Sequence, residues 1–436
     1  MTPATTSPTP TPAQARISTT LQAALRTSLL SADAPVALFY DLARLSATCR
    51  ELVAAFPPSA LHAFALKAAP FPRLLRHLHA SGLGAECASI AELGLAAAAD
   101  IPPARVIYDS PAKTDAHLVA ALSAGVHVNA DSFAELARIA ELMPLHAPRP
   151  AASVGLRVNP QLGSASIAET FTAAAACKFG EPLREARADI LAAYAKFPFL
   201  DTVHVHVGSQ GCGIDTLVAG AREAVALADE VNRGVAGRVR QIDIGGGLSV
   251  DYWSDGEGSS FAEMGDRLRG EVPGLAKYRV VTEFGRRVAS AAGFVAARVQ
   301  AVKRSGGRTY VVCHAGADLL VRPVYQGDKW GHRVEVYDAA GRLKGGETET
   351  VDVAGPICFA GDVIARDREL ARAQEGDWIV VRDAGAYTLS MYCRHTSQLT
   401  PPVYGVGEAG VVTTICRGET VEDVVRFWGG GGGGGK

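Results

Sequence analysis

Short apolar runs alternate with amphipathic stretches rich in Ala and Leu between residues 60 and 290. This alternation is typical of βα units that build a parallel sheet, and eight such units can be counted. Because eight parallel strands close into a barrel, the pattern predicts an α/β fold with a (β/α)8 barrel of the TIM type. The predicted strands are residues 62–67, 83–86, 105–109, 126–130, 152–158, 202–207, 241–245 and 278–284.

After about residue 295 the pattern changes to β-branched and aromatic runs separated by Gly and Asp turns. These runs are RTYVVCHAG, HRVEVYD, ETVDVAG, DWIVVRDAG and GVVTTIC. They are typical of an all-β domain. The sequence therefore predicts a barrel over residues 35–295 and a C-terminal β domain over residues 296–428.

The two ends of the chain have a different composition. The first twenty residues are rich in Ser, Thr and Pro, and residues 1–34 are predicted to form a flexible tail and lead-in. A plastid transit peptide would have a similar composition, so a plastid location stays open beside the cytoplasmic one. The Gly-rich run at residues 429–436 is predicted to be a mobile tail.

The overall composition favours small-molecule chemistry. The chain is 48% hydrophobic, and its formal net charge of −2 leaves no cationic excess for a nucleic acid or an anionic membrane. No apolar run approaches the roughly 20 residues that span a bilayer. The eight cysteines lack the spacing of a metal site or a disulfide framework, which fits a reducing compartment such as the cytoplasm.

Polar or glycine residues stand at the end of every predicted barrel strand, and this is the rim where barrel active sites lie. Loops are generally polar, and for Glu86, Asp109, Asn129 and Arg157 that ordinary explanation is favoured over a direct role. The rim residues are Lys67, Glu86, Asp109, Asn129, Arg157, His206, Gly245 to Gly247, Glu283 and Arg286.

Two rim positions offer specific chemistry. Lys67 ends an apolar strand, where desolvation favours the neutral amine that forms a Schiff base, although such a lysine could also extend from a core edge to water. The sequence HVHVGSQ places His204 and His206 on one face of a strand, where a ring can stack on an aromatic cofactor. A hydrogen-bonded core histidine is the alternative for His206, and a metal pair is disfavoured because no third ligand stands nearby.

Two later motifs complete the rim. In DIGGGL, Gly245 to Gly247 follow an apolar strand and let backbone N–H groups approach an anion, although the spacing is not that of a dinucleotide fingerprint. In TEFGRR, the carboxylate of Glu283 could keep a pyridine nitrogen protonated. A salt bridge between Glu283 and Arg286 at the rim is the alternative.

Taken together, FALKAAP, HVHVGSQ, DIGGGL, EFGR, GPICFAGD and DAGAY resemble the motifs of the diaminopimelate, ornithine and arginine decarboxylases. These are pyridoxal 5'-phosphate enzymes with an alanine-racemase-like barrel, and the resemblance runs from about residue 35 to 425. It is closest to the diaminopimelate branch, which implies conversion of meso-diaminopimelate to L-lysine and CO2, and hence a place in lysine biosynthesis.

The resemblance implies a role for each matching residue. Lys67 would carry the cofactor, His206 would stack on its ring, Glu283 would lie at its ring nitrogen, and Cys358 would reach the site of a partner subunit in a homodimer. The remaining cofactor residues would be Ser209, Gly247, Phe284, Gly285, Arg286 and Tyr387. The substrate residues would be Arg286, Arg322, Tyr325 and Tyr387.

Several positions depart from the family pattern. Phe359 stands where the diaminopimelate enzymes carry a Glu that contacts the distal amino group of the substrate, and Phe284 replaces a proline. In VRPVY the Arg and the Tyr are one residue closer together than in the usual motif. Decarboxylation of ornithine, lysine or arginine therefore stays open, as does a non-catalytic homologue that binds a protein partner in the manner of the antizyme inhibitors. A racemase is disfavoured because such enzymes pair the ring nitrogen with Arg.

Overall fold

The computed structural model of the protein describes residues 9–146, 153–254, 258–408 and 410–430, and these residues form eighteen strands and twelve α-helices. The strands are β1 (Val36–Asp41), β2 (Leu61–Ala65), β3 (Gly84–Cys87), β4 (Val106–Asp109), β5 (His127–Ala130), β6 (Val154–Asn159), β7 (Glu181–Pro182), β8 (Leu200–His204), β9 (Gln241–Asp243), β10 (Arg279–Thr282), β11 (Gly293–Ser305), β12 (Arg308–Cys313), β13 (Val334–Tyr337), β14 (Thr348–Ala354), β15 (Val363–Ala371), β16 (Trp378–Val381), β17 (Val403–Val406) and β18 (Val412–Cys416). The helices are α1 (Pro12–Arg26), α2 (Leu42–Ala55), α3 (Pro72–Ala80), α4 (Ile90–Ala98), α5 (Asp115–Ala124), α6 (Phe133–His146), α7 (Arg187–Lys196), α8 (Ile214–Gly234), α9 (Phe261–Glu271), α10 (Arg286–Ala289), α11 (Val321–Tyr325) and α12 (Val421–Phe427).

The chain divides into two compact units. The barrel unit comprises Ser46–Asp251 and Gly256–Val288. The β unit comprises Met1–Leu45, Tyr252–Asp255 and Ala289–Lys436.

The barrel unit contains a closed parallel sheet. Its strands follow the order β5, β4, β3, β2, β10, β9, β8 and β6, and pairing of β5 with β6 closes the ring, while the short β7 pairs with β6. All eight predicted barrel strands are confirmed, within a few residues at each end. An apolar cluster lies on β2, β4 and β10, and it consists of Leu61, Ala63, Ile107 and Val281.

The β unit contains a mostly antiparallel sheet. Its main path runs β15, β14, β12, β11, β1, β17 and β18, and β16 pairs with both β11 and β13. The five predicted β segments correspond to β12, β13, β14, β16 and β18, which confirms the C-terminal β domain. At the centre, the rings of Phe39 and Phe294 stack at 5.1 Å across the antiparallel β1–β11 pair.

The structure differs from the predicted domain boundaries at both ends of the barrel. Val36–Asp41 was assigned to the barrel, but it forms the strand β1 of the other unit, where it pairs with β11 and β17. The β unit also begins at Ala289 rather than after residue 295. An apolar run of six residues suits either sheet, so local pattern alone could not assign it.

The prediction of a flexible tail over residues 1–34 is wrong for Pro12–Arg26, which forms α1. Thr11 caps this helix, Pro12 occupies its first turn, and the Thr11 and Gln14 side chains form a reciprocal capping box. The apolar face of the helix joins a core cluster that contains Phe39 and Trp378, and its buried members are Ile17, Leu21 and Ala24. Residues 1–8 and 431–436 lie outside the described residues, and with them parts of both predicted tails.

Among the described residues, no α-helix is long and apolar enough to cross a membrane.

Candidate active site

Lys67 lies just beyond the end of β2, in a short 3-10 turn over Leu66–Ala68. The register of the neighbouring strands pairs Ala65 with Glu86, which brings the Glu86 carboxylate close to the lysine. The Lys67 Nζ and Glu86 Oε2 atoms are 2.5 Å apart, and the Glu86 side chain is fully buried. The predicted rim lysine therefore has an acidic partner on the adjacent strand.

Burial gives Glu86 an unusual affinity for a proton. Loss of solvent is the main cause, the neighbouring charges of Glu283 and Asp109 act in the same direction, and Lys67 opposes them. Together these effects raise the pKa of Glu86 to about 8. A proton can therefore be held between Glu86 and the Lys67 amine near neutral pH.

Glu283 follows β10, and both histidines of HVHVGSQ approach its carboxylate, although β8 ends at His204 and His206 lies just beyond it. The His204 Nε2 atom is 3.6 Å from Glu283 Oε2, and the His206 Nδ1 atom is 3.7 Å from the same oxygen. On its other side, His204 Nδ1 is 3.9 Å from Asp109 Oδ1. His204 therefore lies between two buried carboxylates.

This arrangement gives the two histidines different charges. Burial disfavours the charged form of His204, but the carboxylates of Asp109, Glu283 and Asp243 outweigh it and raise its pKa to about 9. His206 has no comparable excess of negative charge around it, so burial and the positive charge of Arg157 lower its pKa to about 3. His204 is therefore a cation and His206 a neutral ring at neutral pH.

Glu283 is held in its ionised form. Burial alone would raise its pKa, but the adjacent charges of His204 and Lys67 lower it below the ordinary value. The Oε1 atom of Glu283 is buried and has no hydrogen-bond partner among the described residues. The charge of this buried oxygen is therefore not offset by any hydrogen bond among the described residues.

The explanation of Glu86, Asp109, Asn129 and Arg157 as ordinary polar loop residues is wrong. All four lie within strands and are at most 7% exposed. Arg157 donates a hydrogen bond of 3.0 Å to Asp109 Oδ2, which completes a buried set of charges behind Glu283.

Among the described residues, one candidate set of metal ligands includes His204 but not His206. The possible ligand atoms of Asp109, His204 and Glu283 all lie within 4.8 Å of one another. The raised pKa of His204 favours its role as a cation between two carboxylates over a role as a neutral ligand.

The predicted phosphate region is closely packed around glycines. A Cβ atom at Gly246 would lie 2.5 Å from the Glu283 carbonyl oxygen, and one at Gly285 would lie 3.0 Å from the Cβ atoms of both Ala65 and Ala68. Gly247 has a φ of +114°. At the same rim, Arg286 Nε donates to Ser209 Oγ at 3.3 Å. The structure thus brings Ser209, Gly247, Gly285 and Arg286 to the same end of the barrel as Lys67.

The barrel residues identify the protein family of this chain. Residues 42–290 match the family model "Pyridoxal-dependent decarboxylase, pyridoxal binding domain". The chain belongs to the pyridoxal-dependent decarboxylase family. As a member of this family it is a carboxy-lyase that acts on an amino acid, and it is similar to diaminopimelate decarboxylases.

Individual relatives cover most of this decarboxylase. A diaminopimelate decarboxylase of Methanothermobacter thermautotrophicus is 30% identical over 83% of this chain and 83% of that protein. One of Pseudomonas aeruginosa is 32% identical over 77% of this chain and 78% of its own length. The crystal structure of the Helicobacter pylori diaminopimelate decarboxylase with L-lysine has a TM-score of 0.83 at 24% identity, covering 92% of this chain and 99% of that one, which supports the shared fold.

Not every predicted cofactor residue of the decarboxylase points to the site. The Phe284 side chain is 2% exposed and packs against the rings of Phe56 and Phe261. A contact of Phe284 with a cofactor would therefore have to come from its backbone. Sequence reasoning also missed Asp243, a fully buried acid near His204, although a charged residue within the apolar run QIDI was a signal.

The remaining predicted residues of the decarboxylase lie in the β unit. The Arg322 guanidinium lies over the rings of Trp330, at 4.3 Å, and Tyr387, at 5.1 Å. Cys358 is exposed, and the next residue, Phe359, stacks on Tyr325 with ring centroids 5.6 Å apart. The structure therefore brings Arg322 together with Tyr387, and it places an aromatic pair directly beside Cys358.

Proposed function

We propose that this chain decarboxylates meso-diaminopimelate to L-lysine and CO2, with pyridoxal 5'-phosphate bound at the rim of the barrel. The observation that carries the proposal is the ionised, buried carboxylate of Glu283, which has one oxygen without a partner among the described residues, beside His206 and Lys67. The names of the relatives from archaea and bacteria support the choice of substrate.

The barrel residues fit such a cofactor. The unpartnered Glu283 Oε1 atom suits a protonated ring nitrogen, and the glycines of the rim let the surrounding loops pack closely, since a Cβ at Gly246 or Gly285 would contact neighbouring protein atoms. Ser209, Gly247, Gly285 and Arg286 would hold the phosphate group, with Tyr387 in addition. Once bound, the cofactor would supply an electron sink for the bond that breaks as CO2 departs.

Lys67 is the residue best suited to carry the cofactor, because its amine has an exchangeable proton. Its partner Glu86, with a pKa of about 8, can accept that proton and leave the neutral amine that Schiff-base formation requires. Lys113 is the contrasting case. Its Nζ atom is buried and donates to Ser110 O, Asn129 O and Glu135 Oε2, so all three of its protons are engaged.

Glu283 and His206 would act on the ring. The fixed negative charge of Glu283 would keep the ring nitrogen protonated, and His206 would stack as a neutral ring. Gly246 donates its backbone N–H to His206 Nδ1 at 3.2 Å, which orients the imidazole. Arg286, Arg322 and Tyr325 would contact the substrate carboxylates.

A homodimer would complete the site, with Cys358 of one subunit returning a proton to the substrate held by the other. The exposure of the Cys358 thiol supports this role, since a buried thiol could not reach a second chain. The cytoplasm is the proposed location, and the eight unbridged thiols support a reducing compartment. A rice relative named as chloroplastic keeps the plastid as the alternative.

A second substrate class is favoured by one observation. The stacked pair of Phe359 and Tyr325 offers an apolar surface where the diaminopimelate enzymes carry a Glu. A wall of this kind suits the aliphatic chain of ornithine, lysine or arginine better than a second amino-acid head group. A non-catalytic binding protein is disfavoured, because a scaffold has no need for a buried, ionised carboxylate beside a lysine.

The deciding experiment measures CO2 release from meso-diaminopimelate, L-ornithine, L-lysine and L-arginine. We expect meso-diaminopimelate to have a kcat/KM at least tenfold above the others, and the Lys67→Ala variant to release none. Borohydride reduction followed by mass spectrometry should find the pyridoxyl group on Lys67. A faster reaction with ornithine would support the second class, release from no substrate would support the binding protein, and modification of Lys113 or Lys178 would contradict the site.

A further inference from the structure

Cys358 lies in the loop that joins β14 to β15, residues 355–362, which we call the Cys358 loop. A second segment, residues 314–320, leads from β12 into α11 and is called the α11 lead-in. Both segments belong to the β unit. Because the Cys358 thiol is exposed, its position depends on what holds the Cys358 loop in place.

The carboxylate of Asp362 joins these two segments. Its Oδ1 atom accepts a hydrogen bond of 2.6 Å from the backbone N–H of Ala317, in the α11 lead-in. Its Oδ2 atom accepts one of 2.8 Å from the backbone N–H of Ile357, which directly precedes Cys358 in the Cys358 loop. Each oxygen of one carboxylate therefore binds a different segment.

Two glycines leave the space that this carboxylate occupies. A Cβ atom at Gly316, in the α11 lead-in, would lie 2.5 Å from Asp362 Oδ2. A Cβ atom at Gly355, in the Cys358 loop, would overlap the same oxygen and the Cα atom of Gly316. The two segments can therefore approach each other closely around Asp362 because both positions lack a side chain.

Burial makes the two N–H groups important to the carboxylate. Asp362 is 3% exposed, and burial raises its pKa, whereas the hydrogen bonds from Ile357 and Ala317 lower it. A buried carboxylate oxygen that lost its donor would be left unsatisfied, which is costly. The two hydrogen bonds therefore fix the Asp362 side chain in one orientation.

An exposed contact links the Cys358 loop to α11 as well. The ring of Phe359, the residue after Cys358, stacks on the ring of Tyr325 in α11 with centroids 5.6 Å apart. Both of these side chains are exposed, whereas Asp362 is buried. The Cys358 loop is therefore held on its buried side by Asp362 and on its exposed side by an aromatic pair.

We propose that Asp362 is a positioning residue, which holds the Cys358 thiol in place by fixing the Cys358 loop against the α11 lead-in. The inference rests on the proposed function, in which Cys358 returns a proton to the substrate. Asp362 itself contacts neither the substrate nor the cofactor in this account. Its effect on the reaction therefore passes through Cys358.

Asp362→Asn tests the inference, because the amide has nearly the same shape but only one oxygen, so that its NH2 group would face one of the two N–H donors. Hydrogen exchange of the holoenzyme should become faster by roughly tenfold or more at the amide of Ala317, of Ile357 or of both. The kcat for meso-diaminopimelate should fall by roughly tenfold or more. In the Cys358→Ala background, the same substitution should leave the residual kcat unchanged, because the thiol that it misplaces is already absent.

The matched control is Asp338→Asn. Asp338 also accepts from two backbone N–H groups, those of Ala340 and Arg342, but both bonds go to its Oδ1 atom, so an Asn can keep them. This control should match the wild type in exchange and in kcat. The proposal is overturned if Asp362→Asn exchanges as the wild type does at both amides, or if it lowers kcat equally with and without Cys358.

Hydrogen exchange separates this inference from the proposed function, because exchange needs no substrate. If the wild type releases CO2 from none of the four amino acids, the proposed function fails, while exchange still decides whether Asp362 holds the two segments. Should Asp362→Asn fail to fold, the wild type decides. One carboxylate holds both amides, so the protection factors of Ala317 and Ile357 should agree within roughly tenfold, and a larger difference would overturn the proposal.

Discussion

Single residues at the rim are governed by the charges around them more than by their own chemistry. His204 is the last residue of β8 and His206 lies two positions further along the chain, yet one is a cation and the other is neutral. The difference follows from Asp109, whose carboxylate lies near His204 only. This arrangement of charges can be tested at Glu283 and at His204.

The first prediction concerns Glu283. Replacing it with Gln removes the charge that would keep the ring nitrogen protonated, so we expect kcat to fall by more than roughly tenfold, or about 1.4 kcal/mol in barrier. Glu271→Gln is the control, since Glu271 forms only surface ion pairs with Arg267 and Arg222 among the described residues. An unchanged kcat in Glu283→Gln would leave Glu283 as no more than a rim ion-pair partner.

The second prediction concerns the pH dependence of stability. The pKa of His204 is raised in the folded state, so its contribution is complete below about 6.5 and is lost as the pH rises through about 9. The free energy of unfolding should therefore fall by roughly 1–3 kcal/mol over this window, and His204→Asn should remove that part of the slope.

Urea denaturation at several pH values tests this dependence. His395→Asn, at an exposed histidine, should keep the wild-type slope. If His204→Asn also kept it, His204 would not be the titrating group.

At this scale the sequence predicted positions better than partners. Lys67, His206 and Glu283 could be identified because strand ends mark the rim of a barrel. Their partners could not, because the approach of Glu86 to Lys67 depends on the register of neighbouring strands.

Among the elements, the loop after β9 is constrained by close packing against the loop that follows β10. Gly246 lies against the carbonyl oxygen of Glu283, which belongs to the loop after the neighbouring strand β10. The position of one loop therefore determines the position of the other.

Gly246→Ala tests this constraint. The new Cβ would have to displace the Glu283 backbone, so we expect a loss of roughly 1–3 kcal/mol in stability and at least tenfold weaker binding of pyridoxal phosphate. In contrast, a Cβ added at Gly94 in α4 would have no neighbouring atom within 4 Å among the residues that the structure describes. Gly94→Ala should therefore be neutral or slightly stabilising. Thermal unfolding and cofactor titration measure both variants, and equal behaviour would contradict the packing argument.

Elements with a strong local period were predictable, and those that depend on distant partners were not. The barrel strands and five segments of the β unit have clear apolar or β-branched runs. By contrast, β1 is an apolar run that either sheet could accept. In α1 the apolar residues Ile17, Leu21 and Ala24 have helical spacing, but the Ser, Thr and Pro content around them obscured it.

For the whole molecule, the central question is whether two chains share each site. Lys67 lies in the barrel unit and Cys358 in the β unit. If Cys358 serves the other subunit, mixing Lys67→Ala with Cys358→Ala protein restores activity, because a heterodimer regains one site with both residues intact. If subunits exchange freely and each active site works independently, the recovered activity is at most about a quarter of the wild-type activity.

Native mass spectrometry should be used to establish that heterodimers have formed in this mixture. A mixture that contains them but shows no activity above either parent would place both residues within one chain. Each variant alone serves as a control. A mixture of Lys67→Ala with Glu283→Gln is a second control, because Lys67 and Glu283 lie in the same unit and a heterodimer of these variants regains no site with both residues intact.

The pairing of β1 also has a consequence for the order in which the chain can fold during synthesis. β1 pairs with β11 and with β17, which leave the ribosome hundreds of residues later. At translation rates of roughly 5–20 residues per second, β1 would wait for its last partner for roughly 20–70 seconds. Every strand of the barrel is synthesised within that interval, so the barrel can form before the sheet that contains β1. An apolar strand that emerges early and pairs late is a natural binding segment for a chaperone.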